Sequence, residues 1–263
     1  MAVRLTFLGT GTSHGVPMIG CDCPVCRSDD PRDRRTRPSV VIESAGTRVL
    51  IDTAPELRLQ CVACNVNHID AVLYTHAHAD HVTGMDDLRR FNWLSGGPIR
   101  CYGTPPTLAA IRRMFAYIFE DEPDYPSYKP AVELVPIDVE PFDVSGLAIQ
   151  PIPLLHGRLP VLGFRVGDIA YCTDCSEIPP ESRERLAGLD VLVLDALRKK
   201  PHPTHFTLDE AVAAAGQIGA KRTLFTHIAH ALGHESTNDE LPSGIELAYD
   251  GQVVESDSHR GGG

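Results

Sequence analysis

Short apolar runs that stop at a histidine or an aspartate recur along the chain. Arg48-Val-Leu-Ile ends at Asp52, Ala71-Val-Leu-Tyr-Thr at His76, and Ile149-Gln-Pro-Ile-Pro-Leu-Leu at His156. Ile169-Ala-Tyr-Cys-Thr ends at Asp174, Val191-Leu-Val-Leu at Asp195, and Thr223-Leu-Phe-Thr at His227. Short runs rich in Val, Ile, Leu and aromatics, bounded by polar residues, read as buried strands. One polar strand end is unremarkable. Six strands ending in metal-ligand residue types predict a site assembled along the edge of a sheet.

Helical patterns lie between these runs. Pro106–Phe119 carries Leu108, Ile111, Phe115 and Phe119 at three- and four-residue spacing, an amphipathic stripe. Asp80–Phe91 places Val82, Met85, Leu88 and Phe91 on one face. Thr207-Leu-Asp-Glu210 is a capping-box pattern ahead of the alanine-rich run Ala211–Gly216. The pattern predicts sheet layers covered by helices, in one domain over residues 1–263. Pro123–Pro130 and Pro201–Pro203 read as loops inside that domain, and Ser256–Gly263 as a frayed tail.

Composition narrows the picture. With 263 residues, 43% of them hydrophobic, the chain can bury a full core, which excludes disorder as its main state. The net charge of −11 argues against broad, sequence-blind nucleic-acid binding, which depends on neutralising phosphates. It leaves room for a small anionic substrate, because a metal or a few local cations can reverse the field in one cleft. No apolar run is long enough to span a bilayer, and the start lacks a signal-peptide pattern. The expectation is a cytoplasmic chain whose eight cysteines are thiols or metal ligands before disulfides.

The strongest chemical signal is Thr75-His76-Ala77-His78-Ala79-Asp80-His81. Imidazole and carboxylate suit borderline divalent metals. Alternate residues of an extended turn point the same way, so His76 and His78 can serve one ion. Asp80 and His81 open the following helix and can reach a second. His156, Asp174 and His227 are strand-end residues able to complete both sets.

The series His-x-His-x-Asp-His at 76–81, then His156, Asp174 and His227 in that order, resembles the metallo-β-lactamase superfamily. The resemblance implies an α+β fold, an αββα sandwich, with a two-metal site at one sheet edge. It implies one metal on His76, His78 and His156, another on Asp80, His81 and His227, and Asp174 bridging them. Asp52 takes the place of an aspartate that orients ligands. The ligand types admit Mn²⁺, Zn²⁺ or Fe²⁺.

Near the start stand Gly9-Thr-Gly11, Gly15-Val-Pro17 and Cys21-x-Cys23-x-x-Cys26. Three thiols in six residues can wrap one tetrahedral Zn²⁺ and need a fourth ligand. These segments, with Thr226-His-Ile-Ala-His230, Leu241-Pro-Ser-Gly244 and Tyr249-Asp-Gly251, are similar to the PhnP-like branch, the phosphoribosyl 1,2-cyclic phosphate phosphodiesterases. That resemblance implies a structural zinc on Cys21, Cys23, Cys26 and His230, within a loop over residues 20–27. It implies Mn²⁺ in the catalytic site, a homodimer, and a phosphate contact and general-acid role for His205. His14 and Arg158 are further candidates for binding substrate. Cys61, Cys64, Cys101, Cys172 and Cys175 receive no role.

The expected activity is hydrolysis of a small cyclic phosphate, 5-phosphoribosyl 1,2-cyclic phosphate giving ribose 1,5-bisphosphate. Two metals about 3.5–4 Å apart would share a water and lower its pKa. Asp80 and His205 are the residues on which catalysis is expected to depend most directly. Alternatives are a 2′,3′-cyclic nucleotide phosphodiesterase and an RNA 3′-end endonuclease, the latter disfavoured by the acidic chain and the absence of a basic arm. The pyrroloquinoline quinone biosynthesis protein B shares the Gly-Val-Pro and cysteine features but not the ligand set. An inactive binding module of the same fold should have lost ligands, and none is missing here.

Overall fold

The computed structural model describes residues 2–120 and 128–256. Strands β1 (Arg4–Gly9), β2 (Ser39–Ser44), β3 (Thr47–Ile51), β4 (Ala71–Leu73), β5 (Ile99–Gly103) and β6 (Val132–Pro136) lie side by side in that order in one sheet. The second sheet runs, from edge to edge, from β7 (Phe142–Val144) through β8 (Leu147–His156), β9 (Leu159–Val166), β10 (Ile169–Cys172), β11 (Val191–Asp195) and β12 (Arg222–Thr226) to β13 (Ile245–Leu247). Strand β14 (Val253–Glu255) adds the outer edge of the first sheet beside β1. The αββα sandwich expected from the sequence is the architecture found.

Period-two alternation explains the layers, since successive side chains of a strand face opposite ways. Val49 and Ile51, Ile169 and Tyr171, and Val191 and Val193 all point into the core between the sheets. Leu50 points out under helices α1 (Leu57–Ala63), α2 (Ala79–Val82), α3 (Leu88–Ser95) and α4 (Pro105–Met114). Ala170, Cys172, Leu192 and Leu194 face outward on the other side, where Leu208, Ala211 and Ala215 cover them. Both faces of each central strand are therefore buried, which is why the runs read as continuously apolar. Each fully buried Leu or Ile contributes about 1.5–3 kcal/mol.

Strand direction places the site. Strands β3 and β4 are parallel, as are β10, β11 and β12. Strand β8 pairs antiparallel with β9, and β9 with β10, so β8 runs the same way as β10. All six strands that end in Asp or His thus deliver those residues to one edge. Leu162 N–H donates to Thr75 O (3.1 Å), joining the two sheets beside His76.

Three sequence expectations need correction. The stretch from Asp80 to Phe91 is not one helix: α2 passes into a 3-10 turn at Thr83–Asp87 before α3. Docking forces this, because Thr53 N–H donates to His81 O (2.7 Å) and Gly84 N–H to Thr53 O (2.9 Å). A Cβ on Gly84 would collide with Ala54 O. The stretch from Pro106 to Phe119 breaks at Phe115, where ψ is 40°, into α4 and a final turn, α5 (Ala116–Phe119). Phe115 and Phe119 still reach the apolar cluster on that face. Ser256, expected to open a frayed tail, is buried: its N–H donates to Val3 O (2.8 Å) and its Oγ accepts from Val3 N–H (3.0 Å). Residues 257–263 of that tail, and 123–127 of the Pro123–Pro130 stretch, lie outside the described residues.

Two short helices remain, α6 (Pro180–Arg185) and α8 (His234–Asn238), on either side of the capped helix α7 (Leu208–Ile218). The capping box is present as expected, with Glu210 N–H donating to Thr207 Oγ1 (3.2 Å) and Thr207 N–H to Glu210 Oε2 (2.8 Å). No helix among the described residues is long and apolar enough to cross a membrane.

Candidate metal centre

Two groups of ligand atoms that share Asp174 converge at the strand-end edge, and a third set, Asp195, His205 and His227, adjoins them. One comprises His76, His78, His156 and Asp174, and the other Asp80, His81, Asp174 and His227; within each, the donor atoms lie within 4.8 Å of one another. Asp174 belongs to both. The first group draws on both sheets and so does the second, because residues 76–81 follow β4 while His156 ends β8 and Asp174 and His227 follow β10 and β12.

Hydrogen bonds at Nδ1 turn the Nε2 atoms of three histidines inward. His81 Nδ1–H donates to Asp52 Oδ2 (2.7 Å). His156 Nδ1–H donates to Thr204 O (2.8 Å). His76 Nδ1–H donates to Thr75 Oγ1 (3.0 Å), whose own hydroxyl donates to Asp52 Oδ2 (2.8 Å). Asp52 therefore fixes the tautomer of two histidines at once, one directly and one through Thr75. Such partners aim a ring nitrogen and raise its basicity.

The buried polar atoms test whether a cation fits. His81 Nε2 and His227 Nε2 are fully buried and have no hydrogen-bond partner. Each nevertheless faces carboxylates: His81 Nε2 lies 3.3 Å from Asp174 Oδ1 and 3.6 Å from Asp80 Oδ2, and His227 Nε2 lies 3.3 Å from Asp174 Oδ2 and 3.6 Å from Asp80 Oδ2. His76 Nε2 and His78 Nδ1 are 2.9 Å apart, with Asp174 Oδ2 3.8 Å from the former. Unpaired buried nitrogens among carboxylates are costly unless something positive lies between them. The donor set suits a divalent metal.

The electrostatics agree. Burial pushes the Asp174 carboxyl up, but the His227 and His81 rings beside it outweigh burial and hold it well below the usual range. Asp80 is lowered by the same two rings against the same opposition. Burial lowers His156 to about 4 and His205 to about 4, so both are neutral at pH 7.

The backbone is strained where the ligands sit. Asp52, Asp174 and His227 occupy left-handed conformations, with φ of 62°, 52° and 59°. Non-glycine residues adopt this region reluctantly, and such strain concentrates at functional sites.

Around the ligands, His205 stacks on His227 with ring centres 4.5 Å apart and is equally close to His156. Its Nδ1–H donates to Asp195 Oδ1 (3.1 Å), and Asp195 Oδ2 accepts from Phe206 N–H (3.0 Å). Asp195 stood out in the sequence as a strand end without an assigned role; the structure makes it the anchor of His205. Thr75 and Thr204 were missed as anchors, one acting through a hydroxyl and the other through a carbonyl, which no motif signals. Arg158 is exposed in the turn after His156. His14 is not brought to either ligand group; it lines a separate cavity of about 440 Å³ with Arg37 and Glu56. A larger cleft of about 1140 Å³ opens beside His76 and His78, walled by Pro105, Pro136, Leu159 and Glu177 among others.

The cysteine loop meets the other end of the Thr226–His230 segment. Cys21 Sγ and Cys23 Sγ each lie 3.3 Å from His230 Nδ1, and with Cys26 the four donor atoms fall within 4.8 Å of one another. Ligands about 2.3 Å from a tetrahedral Zn²⁺ would be roughly 3.8 Å apart, so the set fits that ion. The Cys26 N–H beside it lowers the Cys23 thiol to about 6, while burial raises Cys26 to about 11. Cys61, Cys64, Cys101, Cys172 and Cys175 join no ligand group among the described residues. Burial raises the Cys61 and Cys172 thiols to about 12, the behaviour of inert packing groups.

Comparison with known proteins places this geometry. Residues 47–228 match the Beta-lactamase superfamily domain. The chain superposes on the crystal structure of a new diphosphatase from the PhnP family with a TM-score of 0.91, at 47% identity and over 97% of both chains. It is 40% identical to a Porphyromonas gingivalis protein named octanoyltransferase, over 95% of this chain but 51% of that one, so it spans about half the length of that relative. It is 26% identical to coenzyme PQQ synthesis protein B of Rhodopseudomonas palustris, over 96% of this chain and 99% of that protein. With its family match, its near-complete superposition and its converging His and Asp ligands, the chain belongs to the metallo-β-lactamase superfamily, in the PhnP-like branch, and is a metal-dependent hydrolase.

Proposed function

We propose that the protein hydrolyses a P–O bond in a small phosphorylated substrate, with 5-phosphoribosyl 1,2-cyclic phosphate as the first candidate and ribose 1,5-bisphosphate as its product. The observation that carries this reading is the convergence of buried, unpartnered histidine nitrogens on the shared Asp174 carboxylate. One divalent ion would be held by His76, His78, His156 and Asp174, and a second by Asp80, His81, Asp174 and His227. Such ions supply an acidified water and neutralise charge on phosphoryl oxygens. Mn²⁺ or Zn²⁺ suits these ligands, and the Cys21, Cys23, Cys26 and His230 set would hold a structural Zn²⁺.

The protein's own groups do the remaining work. His205, anchored at Nδ1 by Asp195, turns Nε2 toward the reacting oxygens. Neutral in the free site, its Nε2 would take the proton that the attacking water loses and return it to the leaving oxygen, so that one ring serves as base and then as acid. Arg158, in the exposed turn after His156, would steady an anionic group of the substrate.

A second reading is hydrolysis of the phosphoanhydride of a small diphosphate ester. It is favoured by the diphosphatase of known structure and by the cleft beside His76 and His78, whose volume exceeds what a phosphoribose needs. One experiment separates the two. ³¹P NMR of the Mn²⁺-loaded protein would follow 5-phosphoribosyl 1,2-cyclic phosphate, 2′,3′-cyclic AMP and ADP-ribose in parallel. Selective opening of the first supports the main reading, and turnover of ADP-ribose alone supports the second. If no phosphorus resonance moves, neither reading stands.

A further inference from the structure

Residues 198–206 form a loop between β11 and α7 that is closed at its neck and stiffened along its rim. Leu197 N–H donates to Phe206 O (3.0 Å) and Leu208 N–H to Arg198 O (3.0 Å). The Arg198 guanidinium bonds the carbonyls of Lys200 (3.1 Å) and Pro201 (2.9 Å). The loop also abuts the turn after His156. Gly157 has φ of 63°, and a Cβ there would lie 2.8 Å from Thr204 Cγ2 and 3.3 Å from Pro203 O.

His202 sits on this loop between two prolines. Its ring centre is 5.1 Å from that of His205 and its plane is tilted by 49°, so it lies against the His227–His205 pair without continuing that stack. Its Nδ1 accepts from the Thr204 hydroxyl (3.2 Å) and the Thr204 N–H (3.4 Å). Both neighbours donate, so the ring proton must be on Nε2. Burial and the adjacent His205 lower its pKa, keeping it neutral. Nε2–H has no hydrogen-bond acceptor among the described residues, and the ring is only partly buried. Thr204 is the same residue whose carbonyl holds His156, so one short segment fixes a ligand ring and this donor together.

We infer that His202 is a substrate-binding residue: its Nε2–H is a fixed donor for an anionic oxygen of the substrate beside His205. Arg198 and Lys200 on the same loop and Arg158 on the adjoining turn add positive charge at that end of an otherwise acidic protein, while Lys199 is paired with Glu240. The inference rests on the phosphoryl-hydrolase reading for the identity of the anion, and its test does not depend on which ester is cleaved.

The test uses His202→Phe, which keeps a ring against His205 and removes the donor, and His202→Gln, which keeps a donor. Binding of inorganic phosphate to the Mn²⁺-loaded full chain would be measured by calorimetry, with KM and kcat on whichever ester the NMR survey shows is turned over. The expected result is that His202→Phe weakens phosphate binding about tenfold and raises KM similarly, with kcat within about twofold, and that His202→Gln restores most of the loss. Wild-type phosphate affinity in His202→Phe overturns the inference. So does a fall in kcat at unchanged KM, which would make His202 a support for His205 and not a contact to substrate. If no ester is turned over, the proposed function fails, while the phosphate titration still decides the role of His202.

Discussion

Asp52 Oδ2 lies 2.7 Å from His81 Nδ1 and 2.8 Å from the Thr75 hydroxyl that holds His76. One carboxylate oxygen thus governs a histidine in each ligand group. Asp52→Asn keeps the shape but offers an amide where an acceptor is needed. We expect metal affinity to fall about 10- to 100-fold with the fold retained. Metal content after dialysis against a graded chelator, with circular dichroism alongside, measures this. Undiminished metal retention would show that the two rings orient themselves.

Asp80→Ala removes a carboxylate that faces both His81 Nε2 and His227 Nε2 at 3.6 Å. The expected loss in kcat is at least about 100-fold, without a change in secondary structure. Turnover by the metal-loaded variant is the measurement. Full activity would rule out a role for the second ligand group in the chemistry.

Cys23→Ser should release the metal of the cysteine loop and lower the melting temperature by at least about 5 °C, because binding free energy at such a site is folding free energy. Elemental analysis and calorimetric melting give the two readouts. Once metal is restored to the His and Asp ligands, turnover should change less than stability does. A full zinc complement with an unchanged melting temperature would refute the structural site.

Asp250 supplies a pH dependence from outside the ligand groups. Its half-buried carboxyl accepts from the N–H and hydroxyl of Thr10 (2.9 and 2.8 Å) and of Thr36 (2.7 and 2.6 Å). Burial raises its pKa from 3.8 to about 6, and the four donors offset this only in part. Between those values the folded chain keeps a proton that the unfolded chain releases. Stability from this group is therefore complete below about pH 4 and is lost as pH rises through 6, by about 3 kcal/mol in all. The melting temperature of the wild type should fall relative to that of Asp250→Asn between pH 4 and 7. A constant difference between the two proteins across that window would contradict the assignment.

Much of the candidate ligand set was legible in the sequence, because His76, His156, Asp174 and His227 each close an apolar run and His78, Asp80 and His81 crowd the turn that follows one of them. A buried strand that stops at Asp174 or His227 marks where the strand ends in a polar, buried group that needs a partner. The supports were not legible. His156 is held by a carbonyl of Thr204, 48 residues away, and His205 by Asp195 from the preceding strand. Neither pairing has a local spacing. The helix breaks at Thr83–Asp87 and at Phe115 were hidden for a related reason: the first is imposed by backbone docking on Thr53 and Ala54, and hydrophobic periodicity does not register such contacts. His14 lay in a motif that the fold brings near Ile228, yet its side chain lines another cavity.

The ligands come from two separate sheets, residues 76–81 from one and His156, Asp174 and His227 from the other. Ions bound there would rivet the two halves of the sandwich at one rim. Opening the sandwich from that side would first require letting the ions go. Chelation would then act on the lifetime of the whole fold, and not only on its chemistry. Amide exchange in β4 and β12, on opposite sheets, should accelerate together when metal is withdrawn.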